Sequence, residues 1–326
     1  MVRKRETGST ALAATAITVG AAAFAGVAAL ASLSVYVARR VIIPVKTRRE
    51  DVRILGASAT TVLLSRTLDT LLPGQYGLWF SEGAGHAKVG AITDVGPTWV
   101  QRELLGVDHG NLATASRGSI AGWFYLDPEQ LGITHRDVVI ETSLGPAPAW
   151  LIPAARKSGR WLIGVHGRGV RRQECLRAVD VARRCGYMSL LVSYRNDTDA
   201  PHSADGRYGL GDTEWPDVDA ALEYAIANGA TEVVLMGWSM GGAISLQVAT
   251  RSAHADILKG IILESPVVNW ADTINYQTDA QHAPRVVSAG ARHLISSPWA
   301  RKLTGQDQSI DLARLDRKST RLNSSH

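Results

Sequence analysis

The chain has 326 residues, of which 45% are hydrophobic, and it carries a formal net charge of +5. This length and apolar content suit one main domain with a buried core plus an extension. The positive charge does not indicate a nucleic-acid partner, because Arg and Lys are not interleaved with aromatic residues in a recognition pattern. The sequence contains neither a metal-ligand spacing nor a phosphate-binding glycine loop, so no metal and no cofactor are expected.

The N-terminal segment, residues 1–39, is predicted to anchor the protein in a membrane. Residues 7–38 carry no charge, and residues 11–38 are mostly Ala, Val, Leu, Ile and Gly. That stretch exceeds the roughly 20 residues that span a bilayer. A single-pass anchor, with its orientation undecided, is the favoured interpretation. A cleaved signal peptide of a secreted protein, with a small-residue site at 29–31, and a buried helix of a soluble domain are the alternatives.

Residues 40–136 are predicted to form a β-rich extension. Short apolar runs separated by Gly and Pro indicate strands at 52–55, 61–65, 77–80 and 89–92, and 122–125 is a further candidate. We expect this extension to pack on the sheet of the domain that follows. A role in restricting substrate access is a hypothesis.

Residues 137–315 show an alternation of strands and helices. After a hairpin at 137–142 and 148–152, this alternation argues for a mainly parallel sheet with helices on both faces. Cys175 and Cys185 lie at the two ends of one predicted helix, about 15 Å apart, which is too far for a disulfide. The predicted elements are strands 161–165, 188–193, 232–236 and 258–263, and helices 171–184, 213–228 and 241–249.

The segment Gly237-Trp238-Ser239-Met240-Gly241 is a G-x-S-x-G motif between a predicted strand and a predicted helix. This context is typical of a nucleophile elbow, in which a sharp turn presents the serine hydroxyl above a sheet. Side chains at the two glycines would collide with the neighbouring strand and helix. Ser239 is therefore the predicted nucleophile.

A second signal is the turn His166-Gly167-Arg168-Gly169, which follows strand 161–165. From about residue 138 to 268 the chain resembles an α/β hydrolase, nearest the membrane-anchored bacterial serine hydrolases related to the dienelactone hydrolase and prolyl oligopeptidase branches. The resemblance implies that the N–H groups of Arg168 (with Gly167 less favoured) and Met240 form the oxyanion hole. It also implies the chain order Ser, acid, His, so His166 is expected to be structural, bonded to its own turn.

The resemblance does not extend beyond residue 268. No further convincing strand is found there, and residues 280–295 are predicted to be helical or lid-like. Glu264 and Asp272 are weak candidates for the catalytic acid, and His254, His282 and His293 follow no strand. The catalytic acid and histidine are therefore predicted to be absent. Loss of the last strands would leave an exposed sheet edge and promote aggregation.

The tail 316–326 matches, residue for residue, the translation of a widely used sequencing-library adapter. It is expected to be non-native, with the hydrolase domain truncated near Leu315. Asp316 and His326 follow Ser239 in the right order, but they lie in a polar, strandless tail and are not expected to be catalytic.

The sequence thus predicts an α/β-hydrolase fold, incomplete at its C-terminal strands and preceded by a transmembrane helix and a β-rich extension. The implied function is a serine hydrolase for esters, thioesters or amides with small or lipid-like acyl groups, although this truncated chain is expected to be inactive. The alternative is a non-catalytic membrane-tethered scaffold with a hydrolase-like fold.

Overall fold

The computed structural model describes residues 7–45, 49–156 and 158–312, with the backbone alone for 7–22. The chain divides into two compact units. The larger comprises the described residues of 44–203 and 211–267, and the smaller comprises those of 1–43, 204–210 and 268–326. The predictions for the tail 316–326, including Asp316 and His326, lie outside the described residues.

The larger unit begins with a closed β-barrel of six antiparallel strands in the order β1-β2-β5-β4-β3-β6. Closure leaves no free strand edge. Apolar side chains such as Leu64, Leu78 and Phe80 fill its interior. The strands are β1 Val52–Ala57, β2 Thr61–Ser65, β3 Tyr76–Phe80, β4 Gly85–Val95, β5 Trp99–His109 and β6 Arg117–Ala121.

The barrel differs from the predicted extension in three places. The strands β5 and β6 were not predicted, and residues 122–125 form bends and coil instead of the candidate strand. β5 was missed because one of its buried positions holds the charged Arg102, two residues after the buried Val100, which interrupts the run of apolar residues that predicts a strand. β6 begins Arg-Gly-Ser, and Ile120 is its single residue of the β-branched and aromatic types that mark strands.

Arg102 is fully buried, and backbone carbonyl groups solvate its guanidinium. Nε and Nη2 donate to Gly90 O at 3.0 and 2.6 Å, and Nη2 also donates to Gly74 O at 2.6 Å. Nη1 donates to Leu72 O at 2.7 Å and to Thr70 O at 3.2 Å. Burial lowers the pKa of this guanidinium. Arg102 thus fastens the connection between β2 and β3 to β4.

Segment 122–135 joins the barrel to the second sheet and is fastened to the barrel by His86. Its Nε2 lies 3.2 Å from Trp123 O, and its Nδ1 lies 2.7 Å from Asp108 Oδ2. The amide of Gln130 donates to the other Asp108 oxygen at 2.9 Å. Burial lowers the pKa of His86, and the hydrogen bonds to Asp108 and Trp123 do not fully offset it.

The second sheet of the larger unit has six strands in the order β12-β11-β9-β10-β8-β7. β7 and β8 form the predicted antiparallel hairpin, and β9 to β12 are parallel. The predicted alternation of strands and helices is confirmed. The strands are β7 Arg136–Thr142, β8 Gly145–Ile152, β9 Arg160–Val165, β10 Met188–Val192, β11 Glu232–Trp238 and β12 Leu258–Glu264, and the helices are α2 Leu176–Arg184, α3 Trp215–Ala227 and α4 Met240–Arg251.

β12 is the edge strand of this sheet, because it pairs with β11 alone. In the part of the chain that the structure describes, no strand follows Glu264. Ile262 is 47% exposed, and an apolar groove of about 370 Å³ lies beside it, lined partly by Val234 and Met236. The expected aggregation through this edge stays a prediction.

The smaller unit is helical. It contains α1 Thr7–Ile42, α5 Trp270–Ala280, α6 Arg285–Ser296 and α7 Arg301–Thr304. At its C-terminal end α1 buries Ser34, Ala38 and Ile42, which recur every four residues and so share one helix face. A Cβ on Gly290 of α6 would lie 2.5 Å from Ser34 Oγ, so the two helices touch there.

The segment Ala23–Ile42 of α1 is long and apolar enough to cross a membrane, as a signal sequence or a core helix of a soluble protein also would be. Its N-terminal half is open, since Phe24 is 76% and Val27 is 66% exposed. α5 was not predicted, whereas α6 overlaps the segment 280–295 that was expected to be helical or lid-like.

Candidate active site

Ser239 lies at the turn between β11 and α4, as the motif predicts. Its backbone adopts φ 50° and ψ −113°, a conformation that non-glycine residues rarely occupy. Its N–H donates to Glu264 O at 3.0 Å, and its carbonyl accepts from Val267 N–H at 3.1 Å. These two bonds hold the strained turn from the β12 side.

The two glycines of the motif are required sterically. A Cβ on Gly237 would lie 2.4 Å from Gly241 O, and a Cβ on Gly241 would lie 2.1 Å from Val165 O. Both neighbours are backbone atoms, which cannot rotate away as a side chain can. The start of α4 therefore lies directly against the end of β9.

The carboxyl ends of β9 and β11 are adjacent, with Gly237 paired to Val165. The sheet order reverses at β9, and such a switch point is where open α/β sheets place their ligands. A Cβ on Gly167 would lie 3.2 Å from Ser239 Cβ, so the predicted oxyanion loop and the predicted nucleophile are brought together.

Met240 and the turn after β9 supply the candidate oxyanion donors. Met240 is the first residue of α4, so its N–H has no acceptor within the helix. Gly167 N–H faces Glu174 Oε2 at 3.5 Å, which is a long hydrogen bond. Glu174 therefore competes with an oxyanion for the Gly167 N–H, and the assignment of Arg168 as the donor of this turn stays a prediction.

His166 is fully buried and both of its ring nitrogens are occupied. Nε2 lies 2.8 Å from Asp197 Oδ2 and Nδ1 lies 2.9 Å from Gly167 O. Burial lowers the pKa of His166, but the Asp197 carboxylate and the hydrogen bonds outweigh it, so the pKa lies above the ordinary value of 6.5. Both partners are acceptors, so the doubly protonated ring fits them best.

This geometry gives His166 the bond to its own turn that was expected of it. Tyr194 stacks on the imidazole with ring centroids 4.3 Å apart, and its hydroxyl donates to His166 O at 3.1 Å. With no ring nitrogen left over, His166 does not accept a proton from Ser239 in this arrangement.

The side chain of Glu264, a weak candidate for the catalytic acid, is engaged elsewhere. Its Oε2 accepts the Trp238 indole N–H at 2.8 Å, and its Oε1 pairs with Arg177 Nη2 at 2.8 Å. Arg177 and Glu174 are neighbours of the elbow that sequence reasoning missed. Both come from the helical segment after the oxyanion loop, and no local pattern marks them.

The remaining sequence candidates are one histidine of the larger unit and three residues of the smaller unit. His254 lies 3.6 Å from Glu223, and both side chains are largely exposed. Asp272, His282 and His293 belong to the smaller unit, where Asp272 occupies the first turn of α5. Within residues 7–45, 49–156 and 158–312, no group of three or more His, Cys, Asp and Glu side chains is placed to hold a metal ion.

Two families match parts of the chain. Residues 179–293 match the prolyl oligopeptidase family, and residues 53–121 match a domain of unknown function, DUF8805, which coincides with the barrel. No curated protein matches the chain.

Solved structures with similar folds include two esterases and a hydrolase. The Pyrococcus furiosus esterase Pf2001 is 17% identical over 59% of this chain and 69% of that chain, with a TM-score of 0.45. The metagenomic carboxylesterase EstE1 is 18% identical over 56% and 61% of the two chains, with a TM-score of 0.38. The Xanthomonas campestris serine hydrolase XC6422, which has no lid, is 20% identical over 42% and 63%, with a TM-score of 0.35.

The strand order, the strained serine between β11 and α4, and the family match over residues 179–293 agree with one another. The chain therefore has an α/β-hydrolase fold, as the resemblance implied, and residues 179–293 of this domain are similar to the prolyl oligopeptidase family.

Proposed function

We propose that the protein is a serine hydrolase in which Ser239 is the nucleophile. The observation that carries this proposal is the strained backbone of Ser239, held at the sheet's switch point with the turn at Gly167 against it. Strain of this kind clusters at active sites because it pre-organises the reacting group.

In the proposed reaction the Ser239 hydroxyl oxygen attacks the carbonyl carbon of the substrate and loses its proton to a base. The oxyanion that forms accepts hydrogen bonds from the N–H groups of Met240 and Arg168. Collapse expels the alcohol, thiol or amine, which takes up a proton, and leaves an acyl group on Ser239 that water then removes.

We further propose that this chain does not supply the base. The ring nitrogens of His166 are taken up by Asp197 and Gly167, and the carboxylate of Glu264 by Arg177 and Trp238. A serine hydrolase that lacks its catalytic triad retains a rate enhancement of about 10³-fold or more from the oxyanion hole and substrate binding. Ser239 should therefore react slowly unless a base is added.

The substrate class is an ester, thioester or amide, in keeping with the esterases among the similar solved structures. We propose that α1 anchors the enzyme in a membrane, which favours lipid-like acyl groups. Because Ser34 contacts Gly290 of α6, and Ala38 and Ile42 are buried on the same face of α1, the bilayer-spanning part is the apolar stretch before Ser34.

The test is labelling of the detergent-solubilised chain by a fluorophosphonate probe, with and without excess imidazole as a diffusible base. We expect slow labelling that imidazole accelerates and that Ser239→Ala abolishes. Ser252→Ala, which removes a serine at the opposite end of α4, is the matched control and should label like the wild type.

Each other outcome overturns a defined part of the proposal. If the folded wild-type chain does not label even with imidazole, the protein is the non-catalytic membrane-tethered scaffold instead. Rapid labelling that is independent of imidazole shows that the chain contains its own base.

A further inference from the structure

The carboxylate of Glu174 lies beside the predicted nucleophile. A Cβ on Gly167 would lie 3.2 Å from Ser239 Cβ and 3.6 Å from Glu174 Oε2, so these two atoms are within about 7 Å of each other. The Gly167 N–H faces the same carboxylate oxygen at 3.5 Å. Glu174 and an oxyanion formed at Ser239 would therefore be neighbours at this turn.

The backbone that leaves the barrel confines the side chain of Glu174. Gly122 directly follows β6, and a Cβ on this glycine would lie 2.9 Å from Glu174 Oε1 and closer still to Arg177 Nη1. Both side chains thus pack against Gly122. Glu174 itself belongs to the short helical turn Arg172–Cys175, which fixes its main chain.

The charge of Glu174 is not neutralised by an ion pair. Arg177, which packs on the same glycine, donates from Nη2 to Glu264 Oε1 at 2.8 Å and from Nη1 to Gly122 O at 3.5 Å. Among the described residues, no Lys, Arg or His nitrogen lies within 4 Å of the Glu174 carboxylate, and its one side-chain hydrogen bond is the long one from Gly167. A half-buried carboxylate therefore faces the site without a partner of opposite charge.

Such a carboxylate affects the proposed reaction through its charge. Negative charge develops on the carbonyl oxygen of the substrate when the Ser239 hydroxyl attacks, and like charges at this separation repel. A positive charge on the substrate would offset the repulsion. An ammonium on the carbon next to the carbonyl is only two bonds from the reacting carbon, so it would lie beside the oxyanion and close to Glu174.

We propose that Glu174 determines which acyl groups react at Ser239: it disfavours neutral and anionic acyl groups and favours those with an ammonium on the carbon next to the carbonyl. The ammonium pairs with the carboxylate in place of the Gly167 N–H, which then becomes available to the oxyanion. This inference rests on the proposed function of Ser239. It concerns only the first atoms of the acyl group, so it holds for lipid-like and short chains alike.

The test compares two phenyl esters of nearly equal size, with the detergent-solubilised full chain and added imidazole. Glycine phenyl ester carries an ammonium at pH 6, below the ordinary pKa of an α-amino group, and phenyl propanoate has a methyl group in its place. Phenol release in the presence of Ser239→Ala is subtracted, which removes the direct reaction with imidazole. Because the ammonium also activates its own ester, the measured quantity is the ratio of the two rates, compared between variants.

Substitution of Glu174 isolates its charge. Glu174→Gln should lower the ratio of the glycine to the propanoate rate by about 10-fold, the effect of losing one hydrogen bond to a charged group. The propanoate rate itself should rise by about 3-fold or more, because two like charges about 7 Å apart no longer repel. Glu174→Ala should act in the same way, and the melting temperature of each variant reports whether it folds.

Asp180→Asn is the matched control. It removes a carboxylate of α2 that is 61% exposed and paired with Arg184, so the ratio should not change. An equal fall of the ratio in Asp180→Asn and Glu174→Gln would overturn the proposal, because the effect would then come from the overall charge of the protein.

The remaining outcomes separate this proposal from that of the nucleophile. A ratio that is the same in folded wild type, Glu174→Gln and Glu174→Ala would overturn the role of Glu174 and leave Ser239 as the nucleophile. Labelling of Ser239 by the fluorophosphonate without phenol release from either ester would have the same meaning. Absence of both labelling and phenol release would refute the proposed function, and the inference drawn from it as well.

Discussion

Replacing Gly241 by alanine tests whether the elbow is as tightly built as its geometry indicates. The added methyl would lie 2.1 Å from Val165 O and 2.5 Å from His166 O, both backbone atoms. Either α4 or the end of β9 must move by about 1 Å, and β9 is flanked by β10 and β11. Overpacking of this kind costs up to about 3 kcal/mol.

The same displacement carries the oxyanion loop away from Ser239, and a misplacement of about 1 Å costs about 100-fold in rate. Gly260→Ala is the matched control, because a Cβ at Gly260 of β12 would meet nothing within 4 Å. There we expect a change of at most about 0.5 kcal/mol, in the stabilising direction, because alanine has less conformational freedom than glycine when unfolded.

The assay pairs thermal unfolding, followed by tryptophan fluorescence in detergent, with the imidazole-assisted labelling rate. We expect Gly241→Ala to lower the melting temperature by roughly 6 °C or more and to suppress labelling, while Gly260→Ala changes neither. Equal melting temperatures and labelling rates for the two variants would show that α4 does not lie against β9 as described. The geometry given for the elbow would then be wrong.

Three other predictions use stability and thiol reactivity. Arg102→Met should destabilise the barrel by about 3 kcal/mol or more, because four carbonyl groups lose their buried donor; an unchanged melting temperature would contradict this. The raised pKa of His166 means that the folded state binds the imidazole proton more tightly than the unfolded state. The contribution of this proton to the free energy of unfolding is therefore full below pH 6.5 and is lost as the pH rises through the pKa of the folded state. The difference in melting temperature between wild type and His166→Gln should therefore shrink from pH 6 to pH 9, and a constant or growing difference would refute the sign. Native protein should react with a maleimide at the exposed Cys185 alone, since Cys175 is buried and burial raises the pKa of its thiol; denaturation should expose the second site, and two fast sites in the native state would contradict the packing of α2.

The second sheet was predictable because its information is local. β9, β10 and β11 are short apolar runs, and the helices α2 and α3 end at Arg184 and Ala227, each two residues before a glycine. Such punctuation sets element type and order, and the order of alternating strands and helices restricts the topology to few choices. Boundaries shifted by only a few residues, as at β8, which begins before its predicted start.

The closed barrel was not predictable in the same way. Closure depends on which strands pair across the fold, such as β1 with β6, whose sequences lie far apart. Arg102 also contradicts the expected alternation, because its charge is solvated by carbonyl groups that become neighbours only once the barrel has formed. A hydrophobic pattern cannot report a buried position that is filled by a charged residue.

In the candidate site, too, the residues specified by local sequence were predicted and the residues brought in by the fold were not. The position of Ser239 follows from five consecutive residues and their flanking elements, so the motif located it. Glu174 reaches Gly167 from seven residues further along the chain. Arg177 reaches Glu264 only because α2 and β12 are brought to the same end of the sheet. Non-local neighbours of this kind carry no sequence signal of their own, although they decide which N–H groups and carboxylates remain available.

The position of the barrel bears on the hypothesis that the extension restricts substrate access. A cavity of about 260 Å³ is lined by Ser119 of β6, by the charged Asp51 and Asp69, and by Arg168 and Gly169 of the loop after β9, so β6 and the oxyanion loop share one surface. A substrate group that extends from Ser239 past Arg168 in this direction would meet the barrel before it met solvent. The charged lining would then admit polar groups and disfavour long aliphatic ones on that side. Selectivity for such groups would arise from the barrel, while the chemistry would arise from the sheet.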